Sequence, residues 1–196
     1  MRFEQFEDAI VELNGMVNPQ FLKLLADYAD KNCVKMGTTK TDSSSTYRTV
    51  KCHTLSKTSI SDSAHFLNIQ NEITKAYSHY KFKFPQIHTA TLLQVDLLKY
   101  EVGGGYFYHT DDYTVSVDEY GKDTPKNAGR ILSVTLNLND DYEGGDMVFG
   151  YQNLTELKRI KMKSGTLCFF PSNFLYPHKI ERITKGTRYS VVAWLG

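Results

Sequence analysis

From Ala90 to Gly196 the chain is a succession of short apolar runs separated by turn residues. The runs are TLLQVDLLKY, RILSVTLNLN, DMVFGY, ELKRIKMK, TLCFFP and RYSVVAWL. Between them stand Gly103–Gly105, Asp140-Asp141, Gly144-Gly145, Ser164-Gly165 and Lys185-Gly186. Gly, Asn and Asp tolerate the backbone angles that tight reversals need, and β-branched and aromatic residues fit a pleated, half-buried surface. Runs of this kind at this spacing predict an antiparallel sandwich, jelly roll or barrel. No internal repeat is visible. The polar segment Val115–Gly129 is predicted to be a loop between two strands.

The first half reads differently. Ala9–Leu13 predicts a short strand, turned by Asn14-Gly15. Asn18-Pro19 is a helix start, with Asn18 as N-cap and Pro19 at the first helical position. Phe21, Leu22, Leu25, Tyr28 and Ala29 then recur at helical spacing. A second helix is predicted over Ala64–Tyr80, with Phe66, Ile69, Ile73, Ala76, Tyr77 and Tyr80 as its buried stripe. Between the helices, 14 of the 27 residues from Gly37 to Ser63 are Ser or Thr. This predicts a long mobile loop interrupted by a short strand near Tyr47–Leu55. Loops of this length are uncommon and often functional, although a plain surface insertion has the same composition. At 196 residues the chain suits one domain. The expected division is a helical support with its loop over 1–89 and a β core over 90–196, a mainly β, α+β architecture.

The segment LLKYEVGGGYFYHTDDY (Leu97–Tyr113) carries the first candidate chemistry. In an extended strand residues i and i+2 point to the same side, so His109 and Asp111 leave the backbone together. His178 follows 67 residues after Asp111, and Arg188 ten residues after that. Two imidazoles and one carboxylate form a facial ligand set for non-haem Fe(II), which leaves positions open for substrate and oxygen. Taken singly, H-x-D is a common surface pair, His178 an ordinary loop histidine and Arg188 an ordinary strand-edge charge. The ordered set is what carries the reading. Gly103–Gly105 precedes a tyrosine-rich strand and not a helix, so it is read as a turn and not as a phosphate cradle.

These segments together resemble the 2-oxoglutarate and Fe(II)-dependent dioxygenases, and within them the prolyl 4-hydroxylase-like branch. LLKYEVGGGYFYHTD resembles that family's approach to its first two ligands. RILSVTLNLNDDYEGGDMVF, KSGTLCFFPS and PHKIERITKGTRYSVVAWLG resemble the strands that lead to the distal histidine, the basic residue and the closing tryptophan. The resemblance implies a double-stranded β-helix, a cupin-like jelly roll, buttressed by the N-terminal helices. It implies Fe(II) on His109, Asp111 and His178, with 2-oxoglutarate as cosubstrate, O2 as oxidant and ascorbate in support. Arg188 would anchor the far carboxylate of 2-oxoglutarate, since a guanidinium holds a carboxylate through two parallel hydrogen bonds. Tyr100 is at a position that lines the cosubstrate pocket, and Trp194 closes the same wall. Asn137, on the face opposite Val134, Leu136 and Leu138, is a further candidate for that carboxylate. Tyr47-Arg48-Thr49 resembles a segment near the peptide groove, which implies that Gly37–Leu55 covers the substrate.

The activity implied is hydroxylation of a C–H bond coupled to decarboxylation of 2-oxoglutarate to succinate and CO2, with peptidyl proline C4 as the first target. A free amino acid, another small molecule or a nucleobase is the rival substrate. A non-catalytic jelly-roll binding module is the rival from another class, and it would have no need of all four of His109, Asp111, His178 and Arg188. The expected partner is a protein or peptide. A net charge of +1 supplies no global field for nucleic acid or an anionic membrane. Cys33, Cys52 and Cys168 cannot all pair and show no C-x-x-C spacing, so they are expected to be reduced thiols. The start MRFEQFEDAIVELNG has acids where a secretory leader needs an apolar run, and no stretch reaches 18 apolar residues. A cytoplasmic location is expected. The sequence leaves the oligomeric state open.

Overall fold

The computed structural model describes residues 7–36, 47–89, 91–112, 114–117, 123–126 and 129–196. In chain order its elements are β1 (Val11–Leu13), α1 (Pro19–Asn32), β2 (Lys35–Met36), β3 (Arg48–Thr49), β4 (Lys51–Thr54), α2 (Ser63–Lys83), β5 (Leu92–Tyr100), β6 (Gly105–His109), β7 (Thr114–Val117), β8 (Asp123–Lys126), β9 (Leu132–Asn137), β10 (Glu143–Gly144), β11 (Met147–Gly150), β12 (Glu156–Ile160), β13 (Leu167–Pro171), β14 (His178–Ile180), β15 (Ile183–Lys185) and β16 (Arg188–Leu195). A seven-stranded sheet runs β1-β13-β9-β16-β5-β4-β2, and a five-stranded sheet runs β12-β11-β14-β6-β3. Every pairing is antiparallel, which gives the expected jelly-roll arrangement. Among the described residues, those before 90 supply α1, α2 and four strands, with β3 in the smaller sheet and the other three in the larger.

Two expectations need correction. Val115–Gly129 is not wholly a loop: β7 and β8 pair with each other, Thr114 opposite Lys126 and Val117 opposite Asp123. The alternation of Val115 and Val117 with polar neighbours is a strand signal that the surrounding charges obscure. The single strand near Tyr47–Leu55 is instead two, β3 and β4, on different sheets. Residues 37–46, the centre of the expected covering loop, lie outside the described residues.

β13, β9, β16 and β5 of the larger sheet are largely buried on both faces, and the period of two sorts their residues. Val134 and Leu136 of β9, Val191 and Ala193 of β16, Val95 and Leu97 of β5, and Leu167 and Phe169 of β13 pack outward into one apolar cluster with the helices. From α1 that cluster takes Leu22, Leu25 and Ala29; from α2 it takes Phe66, Ile69, Ile73, Ala76 and Tyr80. Each large side chain sequestered there contributes about 1.5–3 kcal/mol. The alternate positions, including Thr135, Arg188, Ser190, Val192, Leu98 and Tyr100, face a cavity between the sheets.

Asn18 starts α1 as expected: its Oδ1 accepts from the Gln20 amide at 2.8 Å. α2 starts differently. Asp62 stands at its N-cap without bonding its own helix. Its Oδ1 instead accepts from Tyr28 Oη of α1 at 2.7 Å and from His53 Nε2 of β4 at 2.9 Å. Its Oδ2 accepts from the Ser56 amide at 3.2 Å. One buried carboxylate thus ties α1 and α2 to β4 of the larger sheet. Burial works to raise the Asp62 carboxyl, but the bonds from His53, Tyr28 and Ser56 outweigh it and bring it down to about 2.

A depressed carboxyl contributes stability that is present above its unfolded value and lost as pH falls through its folded value. Asp62→Ala is therefore expected to destabilise the fold by about 1.5–3 kcal/mol near neutral pH, the range for hydrogen bonds to a charged group. The gap between parent and variant should narrow as pH falls from about 4 toward about 2. Urea unfolding at several pH values measures this; a gap independent of pH would remove the carboxylate from the account.

Candidate metal centre

β6 and β14 are neighbours in the smaller sheet, and their register sets His178 directly opposite His109. The two imidazole centroids are 4.2 Å apart. Asp111 follows β6 and turns its carboxylate between them, with Oδ1 3.7 Å from His109 Nε2 and Oδ2 3.8 Å from His178 Nε2. One donor atom from each residue lies within 4.8 Å of the other two. Residues 67 positions apart in sequence thus converge as expected.

The hydrogen bonds around the trio suit a cation. His109 Nδ1 lies 2.8 Å from the Phe107 carbonyl, and His178 Nδ1 lies 3.1 Å from the Tyr176 carbonyl. A carbonyl only accepts, so each Nδ1 carries the proton and each Nε2 presents a lone pair to the centre. Backbone carbonyls behind ligating imidazoles are the usual means of fixing tautomer and ring orientation at metal sites. Burial and then the neighbouring His178 disfavour the charged form of His109. For Asp111 burial pulls upward, but His178, His109 and the Ser133 hydroxyl outweigh it and hold the carboxyl below its usual range. Neutral imidazoles and a charged carboxylate are the forms that bind a divalent metal.

The same cavity extends to Arg188, whose side chain is 1 % exposed. Its Nε donates to Asn137 Oδ1 at 2.8 Å, while Nη2 is buried with no partner. No carboxylate among the described residues is bonded to it. An unpaired buried guanidinium is costly, and a ligand carboxylate would satisfy it. The residues present therefore fit both Fe(II) and the far end of 2-oxoglutarate. Tyr100, opposite Arg188 in the β5–β16 register, lies with its ring 5.3 Å from the guanidinium carbon. Leu98, Met147, Phe170, Ile180 and Val192 complete an apolar lining.

The other expected residues fall at different places. Asn137 is inward-facing but committed: Nδ2 donates to the Asn139 and Met162 carbonyls and to Tyr142 Oη, and Oδ1 takes Arg188. It holds Arg188 and has no donor left for a ligand carboxylate. Trp194 lines the cavity beside Asp111, and the Arg130 guanidinium lies 3.6 Å above its ring. Arg48 reaches the cavity from β3, over the Tyr106 ring at 4.9 Å, with Nε buried and unpartnered. Tyr47 Oη donates to the Tyr108 carbonyl at 2.7 Å, and Thr49 lies on an outer groove with Phe107 and Arg182. Arg182 itself donates to the Gly103 carbonyl, away from the metal trio. Glu181, the acid nearest Arg188 in sequence, is bound to Arg159 and Lys179 on the outside.

Sequence reasoning missed Ser133, Tyr106 and Arg130. Ser133 Oγ donates to Asp111 Oδ2 at 2.7 Å. Tyr106 stacks on His109 with centroids 3.5 Å apart. The signal for Ser133 was present: it shares the inward parity of Thr135 and Asn137 on β9.

Comparisons with known proteins bear on the family and the fold. A PKHD-type hydroxylase of Rippkaea orientalis is 34 % identical over 100 residues, 50 % of this chain and 40 % of the relative. Human prolyl 3-hydroxylase 3 is 34 % identical over 89 residues, 44 % of this chain and 12 % of that protein. The chain thus spans less than half the length of these relatives. Among solved structures, a Trichoplax adhaerens prolyl hydroxylase in complex with a hypoxia-inducible-factor peptide fragment superposes with a TM-score of 0.74 at 16 % identity, covering 98 % of this chain and 86 % of that one. A Pseudomonas putida prolyl-4-hydroxylase gives 0.69 at 15 % identity, covering 95 % and 91 %. At these identities the likeness is one of fold. The model of the 2OG-Fe(II) oxygenase superfamily matches residues 95–196, just over half of the chain and the part that contains the trio and Arg188, so the chain belongs to that superfamily.

Proposed function

We propose that this protein is an Fe(II)- and 2-oxoglutarate-dependent dioxygenase that hydroxylates peptidyl proline at C4, with residues 1–196 acting as one catalytic domain. The observation that carries the reading is one cavity holding three metal-donor atoms within 4.8 Å and an arginine with a buried, unpartnered Nη2. His109, Asp111 and His178 would hold the iron. When bound, Fe(II) with 2-oxoglutarate and O2 supplies the oxidation, in which decarboxylation to succinate and CO2 is coupled to C–H hydroxylation. Arg188 binds the far carboxylate, Asn137 fixes the plane of its guanidinium, and Tyr100 closes the wall behind it. Leu98, Phe170 and Val192 exclude water, which strengthens the charge pairing inside. Arg48 stands on the β3 side of the cavity, where a peptide with Tyr47 and Thr49 alongside would approach the metal. The relatives that are prolyl hydroxylases support a protein or peptide partner. Ascorbate would support turnover. Three free thiols, Cys33, Cys52 and Cys168, favour a reducing, cytoplasmic setting, and no helix among the described residues is long and apolar enough to cross a membrane.

The test is incubation of the enzyme with Fe(II), 2-oxoglutarate, ascorbate and proline-containing peptides. A mass gain of one oxygen, co-migrating with 4-hydroxyproline after hydrolysis, is expected. A 3-hydroxyproline product would correct the position. Succinate formed without peptide modification would point to another substrate, and no succinate under any condition would support a binding module instead.

Arg188→Ala is expected to weaken 2-oxoglutarate roughly 30-fold or more, since losing one partner of a desolvated charge pair costs about 2–5 kcal/mol. Fe(II) affinity should stay near the parent's. Arg188→Lys should recover part of the loss, because it keeps the charge without the two-pronged geometry. Asn137→Ala should shift 2-oxoglutarate affinity in the same direction by freeing the guanidinium. Titration of 2-oxoglutarate into the anaerobic Fe(II) protein, followed by its charge-transfer absorption, reads all three. Parent-like affinity in Arg188→Ala would place the anchor elsewhere.

A further inference from the structure

Ser133 and Ser172 are fully buried polar residues, 0 % and 1 % exposed, with no place in the binding of cosubstrate described above. Ser133 Oγ lies 2.7 Å from Asp111 Oδ2, and Ser172 Oγ lies 2.8 Å from Ser133 Oγ. The direction of this chain follows from counting protons. A hydroxyl has one hydrogen and a carboxylate has none, so Ser133 spends its hydrogen on Asp111. The bond between the serines must then run from Ser172 to Ser133. Ser172 is itself anchored, its amide donating to the Ile131 carbonyl at 2.9 Å. It stands directly after β13, six residues before His178. A single directed relay therefore connects the segment that delivers His178 to the carboxylate beside it.

We propose that Ser133, oriented by Ser172, is the positioning residue that fixes the Asp111 carboxylate. Its hydrogen bond occupies Oδ2 and leaves Oδ1, which lies 3.7 Å from His109 Nε2, as the oxygen presented to a metal. Held this way, Asp111 would offer a single oxygen to a metal. This inference rests on His109, Asp111 and His178 being the Fe(II) site.

The test uses the full chain freed of metal by chelator, with Fe(II) alone as probe under anaerobic conditions, then Fe(II) with 2-oxoglutarate. The variants are Ser133→Ala, Ser133→Cys, Ser172→Ala and, as reference, Asp111→Ala. Cysteine keeps the buried volume but is a weak donor. Loss of a partner behind a metal ligand typically costs about 10–100-fold in affinity. Both Ser133 variants are expected to lose Fe(II) affinity in that range and to shift the charge-transfer band of the 2-oxoglutarate complex. Ser172→Ala should move both readings the same way by less, and Ser133→Thr, where it folds, should restore the band. Loss of unfolding temperature without a band shift would mean a packing role and overturn the proposal. Should neither Ser133 variant fold, Ser172→Ala decides: parent-like affinity and band position overturn the relay. Asp111→Ala separates the two layers. If it too retains Fe(II), the metal assignment fails; if it alone loses Fe(II), only the relay fails.

Discussion

The antiparallel register between β6 and β14 places His178 across from His109, and the rest of the site is arranged around that pairing. Strand pairing fixes the separation of two facing residues to within a fraction of an ångström, since backbone hydrogen bonds set it. Asp111 needs only to turn back from the end of β6 to complete the trio. A slip of one residue in either strand would send an imidazole to the outer face. The register shifts between His178 and Ile180, so that Ile180, opposite Tyr106, lines the same cavity as the two histidines.

The larger sheet adds a charge to this arrangement at considerable cost. Arg188 is buried on β16, and desolvating a guanidinium is unfavourable unless its donors are met. Asn137 meets Nε from the neighbouring strand β9, and three acceptors hold Asn137 in turn. Nη2 is buried without a partner, and Arg188 lines the cavity. An unsatisfied buried polar group in an otherwise well-bonded structure is a place where a ligand completes the protein. In the proposed function, the preorganised guanidinium exchanges some fold stability for recognition of a carboxylate.

The helices do their work at a distance. They cover the outer face of the larger sheet with aliphatic side chains, which keeps that sheet apolar on one side and lets the other side carry Ser133, Asn137, Arg188 and Trp194. Asp62 ties both helices to β4 through three hydrogen bonds. A packed outer layer tolerates many apolar exchanges as long as volume and patterning are kept.

The sequence by itself determined the local features. Alternating apolar runs and glycine or aspartate turns specified strands; Asn18-Pro19 started α1; the apolar stripe from Phe66 to Tyr80 specified α2. The residue types and order of His109, Asp111, His178 and Arg188 pointed to the proposed chemistry, because few ligand sets suit iron and few side chains suit a buried carboxylate. Val115 and Val117 carried a weak strand pattern that neighbouring charges masked. The tertiary structure decided which residues serve and which are served. Asn137 holds Arg188 rather than a ligand, from 51 positions away, and Ser133 reaches Asp111 from 22. Such contacts depend on which strands pair and in what register. That choice is settled by the packing of the whole core, because a strand's own residues encode which face they present and not which neighbour they meet.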